Sequence, residues 1–190
     1  MNKTGLGNVR IIAGKLRGSK LPVLQQIGLR PTANRVRETL FNWLQHSIQG
    51  SNVLDLFAGS GALGFEAASR MALQVTMLES SFEVYKQLEA SKNRLSIENV
   101  NIIHTDSIFW LKSTQKKDFD LIFLDPPFDS HHWPVIWPLL LPKIISNALL
   151  YIEISSSQAL QVPAGMVILK QGKTVQSHFF LLQWQNVSID

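Results

Sequence analysis

The tetrapeptide Asp125-Pro126-Pro127-Phe128 combines residue types that favour chemistry over packing. It follows an apolar run, residues 121–124, with a carboxylate, two prolines that cannot continue a strand, and an aromatic ring. The Asp125 carboxylate and the Pro126 carbonyl are two acceptors that can bind both hydrogens of an amino group, while Phe128 can stack on a base. The alternative interpretation is an Asp-Pro turn followed by a buried phenylalanine.

A second chemistry-bearing stretch runs from Asp55 to Gly64 and reads Asp-Leu-Phe-Ala-Gly-Ser-Gly-Ala-Leu-Gly. Its glycine spacing, G-x-G-x-x-G, is compatible with a dinucleotide site. Asp55 argues against that ligand, because a carboxylate facing the mouth of the loop would repel a pyrophosphate and attract an ammonium group. A tight turn without a ligand is the alternative. The loop residues predicted to bind a cofactor are Asp55, Phe57, Gly59, Ser60, Gly61 and Gly64.

Further polar residues follow the later predicted strands. Glu79 ends the second strand, where an acid can accept hydrogen bonds from both ribose hydroxyls. Asp106 and Ser107 follow the third strand, and Asp106 either meets an adenine amino group or caps the next helix. Ligand crevices of open α/β sheets lie beyond the carboxyl ends of the strands, so we expect the first and fourth strands to bring Asp55 and Asp125 into one pocket.

These residues need a scaffold, and the chain after Gly50 supplies one by alternating strands with helices. This alternation predicts a doubly wound, mostly parallel α/β sheet with helices on both faces, although the strand order cannot be read from it. Segments 166–170 and 178–184 predict a terminal hairpin across Gly172-Lys173. Prolines make 133–145 an irregular helical segment. The predicted strands are 52–57, 75–79, 100–104, 119–124 and 149–154, and the predicted helices are 62–71, 82–97 and 107–113.

The first 50 residues are strongly basic, with eight basic side chains and one acid, whereas residues 51–190 carry a net charge of −3. Their pattern predicts a short hairpin over 9–23 and a helix that Thr32 caps and that runs to about residue 48. We therefore divide the chain into a polyanion-binding extension, 1–50, and a catalytic domain, 51–190. A solvated surface that contacts no partner is the alternative. The predicted phosphate contacts are Lys15, Arg17, Lys20, Arg30, Arg35 and Arg37.

Other features narrow the function classes. The chain has no cysteine, which excludes disulfides, thiolate zinc sites and a cysteine nucleophile. His131 and His132 have no acidic or histidine partner at metal-like spacing, so we predict no metal site. The polar start has no signal-peptide core, and prolines interrupt the apolar stretch 135–145. We therefore predict a soluble, cytoplasmic protein with no membrane partner, acting as a monomer.

The Asp-x-Phe-x-Gly-x-Gly loop, the acid after the second strand and the Asp-Pro-Pro-Phe tetrapeptide together resemble class I S-adenosylmethionine-dependent methyltransferases acting on exocyclic amino groups of bases. Four stretches are similar to the RsmD family of bacterial 16S rRNA guanine-N2 methyltransferases: Arg-Ile-Ile-Ala-Gly (10–14), Leu-Arg-Pro-Thr (29–32), Arg-Val-Arg-Glu-Thr-Leu-Phe-Asn (35–42) and the glycine loop (55–64). The resemblance covers nearly the whole chain. The proline-rich segment 133–142 departs from it.

The resemblance implies a seven-stranded Rossmann-like sheet, S-adenosylmethionine as cofactor, and guanine 966 of 16S rRNA, free or in a small-subunit particle, as target. Asp125, Pro126, Pro127 and Phe128 are then the catalytic residues, with Phe128 stacking on a base turned out of its helix or loop. The absence of cysteine excludes the usual route to carbon-5 methylation of pyrimidines. Methylation of adenine N6 or cytosine N4 in DNA, or of an amino group on a protein or small molecule, stays an alternative. An RNA-binding assembly factor without catalysis is another.

Overall fold

Seven strands form the central sheet of the computed structural model, which describes residues 7–24, 34–126 and 133–185. The strands are β3 (Asn52–Asp55), β4 (Gln74–Glu79), β5 (Val100–His104), β6 (Leu121–Leu124), β7 (Leu149–Ser155), β8 (Met166–Lys173) and β9 (Ser177–Trp184). Their order in the sheet is β5-β4-β3-β6-β7-β9-β8.

The sheet confirms the predicted doubly wound, mostly parallel topology. Strands β3 to β7 pair in parallel, and β9 pairs antiparallel with both β7 and β8. The chain leaves β3 toward β4 and β5, and it then returns to place β6 on the opposite side of β3. This reversal creates a crevice between β3 and β6, where α/β sheets bind their ligands.

Within the part of the chain that the structure describes, five α-helices cover the two faces of the sheet. Helices α1, α2 and α3 pack with the hairpin on one face, because their buried side chains share one apolar cluster. Helices α4 and α5 pack on the other face in a second cluster. The helices are α1 (Asn34–Trp43), α2 (Ala62–Ser69), α3 (Phe82–Arg94), α4 (Ser107–Ser113) and α5 (Trp133–Leu140).

The N-terminal extension forms the predicted hairpin from β1 (Gly7–Arg10) and β2 (Lys20–Val23), which pair antiparallel. The side chains of Val9, Ile11 and Leu21 are buried in the same apolar cluster as helices α2 and α3. The hydrophobic core therefore continues across residue 50, where the sequence predicted a domain boundary.

Two segments differ from the sequence-based expectation, and a third agrees with it. Helix α1 ends at Trp43, earlier than predicted, and Thr32 lies outside the described residues. Strands β8 and β9 extend through the predicted Gly172-Lys173 turn, and the chain reverses at 174–176, where the Thr174 hydroxyl accepts two backbone N–H groups. As expected, segment 133–145 is irregular: Pro138 lies inside α5, and a 3₁₀ turn, Leu141–Lys143, follows.

No helix within 7–24, 34–126 and 133–185 is long and apolar enough to cross a membrane.

Candidate functional site

Four carboxylates lie at the carboxyl ends of four neighbouring strands of the central sheet. Asp55 ends β3 and Glu79 ends β4, Asp125 follows β6 directly, and Glu153 lies near the end of β7. The first three are sequence-predicted site residues, and the strand order shows that they converge at one edge. Parallel strands end on the same side of a sheet, so the four acids lie at the edge where α/β sheets bind their ligands.

All four carboxylates also belong to the same face of the sheet. Asp55 pairs with Met77 of β4 and with Phe123 of β6, and paired residues on parallel strands point to the same side. Because side chains alternate along a strand, Glu79 and Asp125, each two residues further, share that side. Tyr151 of β7 pairs with Phe123 and so points to the same side. Glu153, two residues after Tyr151, shares that side.

The Asp55 carboxylate lies beneath the glycine loop and not at its mouth, which corrects the sequence-based expectation. Asp55 is 2% exposed and accepts a hydrogen bond from the Gly64 N–H at 3.2 Å. Burial raises the pKa of Asp55 to about 7, although backbone N–H groups of Phe57 and Gly64 oppose the rise. Asp55 therefore supports the loop from below.

The Glu79 carboxylate shapes the same loop from the neighbouring strand. One oxygen, Oε2, accepts the Gly59 N–H at 3.0 Å, and the other, Oε1, accepts the Ser81 N–H at 2.7 Å. Burial raises the pKa of Glu79, and these backbone donors partly offset the rise. Glu79 is only half-buried, so its predicted bond to a ribose stays compatible with this geometry.

Two of the three glycines are required by packing within the protein, and their role as points of close approach for a ligand stays a prediction. Gly61 has a φ of 76°, and a Cβ there would lie 2.6 Å from the Phe65 ring. A Cβ on Gly64 would lie 2.7 Å from the Met77 sulfur, where α2 crosses β4. Gly59 has a φ of 50°, which favours glycine.

The N–H groups of the loop discriminate between two classes of ligand. The Ala58 N–H bonds to the Leu78 carbonyl at 3.0 Å and the Gly61 N–H to the Ala58 carbonyl at 2.7 Å. Gly59 and Gly64 donate to the two carboxylates described above. Dinucleotide loops offer such groups to phosphates, whereas these four N–H groups are used within the protein. The site therefore fits a nucleoside with hydroxyl and ammonium donors better than one with a pyrophosphate.

Two other predicted cofactor residues take part in the start of α4. Asp106 accepts the Phe109 N–H at 2.8 Å, which confirms the capping interpretation. The Ser107 hydroxyl is buried and donates to the Leu56 carbonyl. This bond holds the start of α4 against the segment that follows β3. The contacts of Asp106 and Ser107 with a cofactor stay predictions. Phe57 and Ser60 lie half-buried in the loop.

Of the tetrapeptide predicted to be catalytic, the structure describes Asp125, which is half-buried, and Pro126, which is buried. Pro127 and Phe128 lie outside the described residues, as do His131 and His132. Within the described ranges, no three His, Asp or Glu side chains form a group that could hold a metal ion.

Sequence reasoning missed Tyr151 and Glu153. The Tyr151 hydroxyl donates to Glu153 Oε2 at 2.8 Å, and both residues are buried. The pKa of Tyr151 is raised well above its ordinary value by burial and by the charges of Glu153 and Asp125. The signal was a Tyr and a Glu inside the otherwise apolar strand 149–154.

Four of the six predicted phosphate contacts, Lys15, Arg17, Lys20 and Arg35, are exposed, and Arg30 lies outside the described residues. The prediction for Arg37 is wrong. Arg37 is 0% exposed, and its Nη2 donates to the Arg10 carbonyl at 3.0 Å and to Asn34 Oδ1 at 2.6 Å.

The Arg37 guanidinium also lies 3.9 Å from Glu66 of α2, which is likewise 0% exposed. Burial lowers the pKa of Arg37, and the Glu66 charge opposes that shift. Its spacing with Leu40 and Phe41 places Arg37 on the buried stripe of α1, a signal that the sequence contained.

Comparisons with known proteins cover most of the chain. Residues 9–183 match the model of the family described as conserved hypothetical protein 95. The ribosomal RNA small subunit methyltransferase D of Haemophilus influenzae is 46% identical over 173 residues, covering 88% of this chain and 90% of that protein. The protein of the same name from Buchnera aphidicola is 41% identical over 175 residues, covering 91% and 92%.

Among solved structures, the Escherichia coli methyltransferase yhhF superposes with a TM-score of 0.85 at 37% identity, covering 94% of this chain and 99% of that one. The chain therefore belongs to the family of the ribosomal RNA small subunit methyltransferase D.

Proposed function

We propose that this protein transfers a methyl group from S-adenosylmethionine to the exocyclic N2 amino group of a guanine in 16S rRNA during small-subunit biogenesis. The family resemblance implies guanine 966 as the target. Curated relatives at 46% and 41% identity are named ribosomal RNA small subunit methyltransferase D. The observation that carries the proposal is the convergence of Asp125 with Asp55 and Glu79 at one edge of the sheet.

The cofactor is assigned to the glycine loop and to the strands beside it. When bound, S-adenosylmethionine supplies an electrophilic methyl group on a sulfonium, and its departure leaves a neutral thioether. Glu79 would accept hydrogen bonds from the ribose hydroxyls, and the negative charge of ionised Asp55 would attract the ammonium group. The loop glycines allow the backbone to approach the nucleoside.

Asp125 and the Pro126 carbonyl prepare the acceptor. A guanine amino group is a poor nucleophile, since its lone pair is delocalised into the ring. Two acceptors that bind its two hydrogens pull the nitrogen toward tetrahedral geometry and aim the lone pair at the methyl carbon. Asp125 also accepts the proton that the nitrogen loses as the new N–C bond forms. Phe128 is assigned the stacking contact with the base, worth roughly 1–3 kcal/mol.

The substitution Asp125→Ala tests this assignment. We expect methyl transfer to fall by roughly 100-fold or more, because one acceptor and the proton acceptor are removed together. The assay measures transfer of labelled methyl from S-adenosylmethionine to small-subunit particles from a strain that lacks this protein. Asp118→Ala, at an exposed acid, is the matched control. S-adenosylhomocysteine binding, measured by calorimetry, shows whether the cofactor site is intact.

Mapping the modified nucleotide in the same particles tests the substrate. N2-methylguanine at position 966 is the expected product. Near-normal transfer by Asp125→Ala with intact cofactor binding would contradict the assigned roles. Methylation of duplex DNA in preference to the particles favours the DNA enzyme, and cofactor-independent binding to particles without transfer favours an assembly factor.

A further inference from the structure

The Tyr151–Glu153 pair is a buried polar pair that the methyl-transfer mechanism does not use. Tyr151 is 0% exposed and Glu153 is 6% exposed, yet both lie on the apolar strand β7. Their hydrogen bond, 2.8 Å from the hydroxyl to Glu153 Oε2, fixes the carboxylate in one orientation. Burying a carboxylate is costly unless it is hydrogen-bonded, and folding alone would be served better by an apolar residue.

The position of this pair relates it directly to the methyl acceptor site. Strands β6 and β7 run in parallel with Leu124 opposite Ile152, so the next residues, Asp125 and Glu153, are neighbours across the two strands. Neighbouring strands lie about 5 Å apart. Both side chains belong to the face that carries Phe123 and Tyr151, and the charge of Asp125 acts on the Tyr151 hydroxyl. Two carboxylates therefore stand side by side at the carboxyl edge.

Two adjacent carboxylates complement one edge of guanine. That edge presents two adjacent hydrogen-bond donors, the N2 amino group and the N1–H group. Adenine presents an unprotonated N1, a lone pair that a carboxylate repels. A base whose N2 amino group reaches Asp125 can be oriented with N1 toward the neighbouring strand, where Glu153 lies. A buried acceptor discriminates strongly between N–H and a lone pair, because the wrong partner leaves it unpaired.

We infer that Glu153, oriented by Tyr151, accepts the N1–H of the target guanine and thereby selects guanine over bases with an unprotonated N1. The inference rests on the proposed function and adds the residue that sets its base specificity. Asp125 holds the group that reacts, whereas Glu153 reads the ring position beside it. Tyr151 is a positioning residue, since it acts through Glu153.

Replacing the target guanosine by 2-aminopurine riboside isolates the N1 position. 2-Aminopurine keeps the amino group at carbon 2, but its N1 carries a lone pair in place of a hydrogen. The substrates are small-subunit particles reconstituted with 16S rRNA that holds either base at the target. The measured quantity is the ratio of single-turnover methylation rates, guanine over 2-aminopurine.

We expect wild-type protein to prefer guanine by roughly 10- to 100-fold, the size of one missing hydrogen bond to a charged group. In Glu153→Gln the amide can donate to the N1 lone pair, so we expect the ratio to fall by at least 10-fold. The glutamine carbonyl still accepts the Tyr151 hydroxyl, which preserves the fold. Glu98→Gln, at an exposed acid, is the matched control and should keep the wild-type ratio.

The outcomes separate this inference from the proposed function. A wild-type protein that fails to methylate guanine N2 overturns the proposed function. A wild-type protein that does so, with an unchanged ratio in Glu153→Gln, overturns the role of Glu153 alone. Equal loss of both rates in Glu153→Gln also overturns it, because a merely structural role predicts that result. Tyr151→Phe should shift the ratio in the same direction by a smaller factor, and an opposite shift contradicts the positioning role.

Discussion

Asp55 shows how burial changes what a site residue does. It is almost completely shielded from solvent, and backbone N–H groups of Phe57 and Gly64 only partly stabilise its charge. In the folded protein its pKa is about 7, compared with an ordinary value of 3.8. Between these values the folded state retains a proton that the unfolded state has released. The free energy of unfolding therefore decreases as pH rises through this window.

The substitution Asp55→Asn should remove this pH dependence, because an amide does not ionise. Relative to wild type, we expect its free energy of unfolding to increase by on the order of 2–3 kcal/mol between pH 5 and pH 8. Urea denaturation at the two pH values measures the difference. Asp118→Asn, at an exposed acid, serves as the control. A constant offset between Asp55→Asn and wild type would refute the raised pKa.

At the scale of elements, the hairpin loop is held against α2 by hydrogen bonds to two buried side chains of that helix. Glu66 accepts the N–H groups of Ile12 at 2.6 Å and Ala13 at 3.0 Å. The Ser69 hydroxyl accepts the Leu16 N–H at 3.0 Å and donates to the Ala13 carbonyl at 2.6 Å. Because α2 starts at the glycine loop, one helix connects the glycine loop with the basic hairpin.

Gly14 makes this close approach possible. Its φ is 82°, and a Cβ at this position would lie 1.9 Å from the Ser69 carbonyl oxygen. Gly18 has a φ of 84°, yet a Cβ there would meet nothing within 4 Å. A side chain at either position would be strained by the positive φ, but only at Gly14 would it also clash with a neighbouring segment.

We expect Gly14→Ala to destabilise the protein by about 2–4 kcal/mol and Gly18→Ala by about 1–2 kcal/mol, since only the first adds a steric clash to the strain. Urea denaturation of both variants at one pH measures the difference. Equal losses would show that Gly14 is needed for its backbone conformation alone and that the loop is not held tightly against α2.

At the scale of the whole molecule, the basic residues are spread along the length of the sheet. Lys15 donates its N–H to the Ser69 carbonyl, at the end of α2, eight residues or about 12 Å from Gly61. Helix α1 ends at Trp43, which lines a groove together with residues that precede β6 or begin β7. The end of α1 therefore lies at the amino edge of the sheet. Arg35, at the start of the helix, lies toward the carboxyl edge. Phosphate contacts by these residues would therefore extend from the carboxyl edge of the sheet to its opposite end.

We expect charge reversal at Arg35, Lys15 or Arg17 to weaken binding to 16S rRNA or small-subunit particles. Each phosphate contact that a substitution removes should make the slope of log affinity against log salt shallower by about 0.7–0.9. Titrations at several salt concentrations measure the slope. Lys112→Glu, on α4 and on the opposite face, is the control. Binding that is indifferent to salt, or equally weakened by Lys112→Glu, would show that the RNA surface is misplaced.

Much of the fold and part of the site could be predicted from the sequence. Alternating apolar segments predicted the parallel sheet because periodicity is a local property, and the spacing of Asp55, Glu79 and Asp125 after these segments predicted their shared edge. The strand ends were less accurate, as in the terminal hairpin, because propensity does not fix where pairing stops. The RsmD resemblance supplied the family, which the comparisons confirm.

The sequence by itself thus determined the class of fold, the family and the acids that meet beyond the strands. Only the tertiary structure decided which charges face solvent. Arg37 reads as one more cation of a basic segment, yet packing against Glu66 of α2 buries it. Asp55 supports the loop from below, and Glu153 stands beside Asp125 because β6 and β7 are neighbours. The pairing of Arg37 with Glu66 and the order of the strands arise from contacts between distant segments, which a local pattern of residues does not encode.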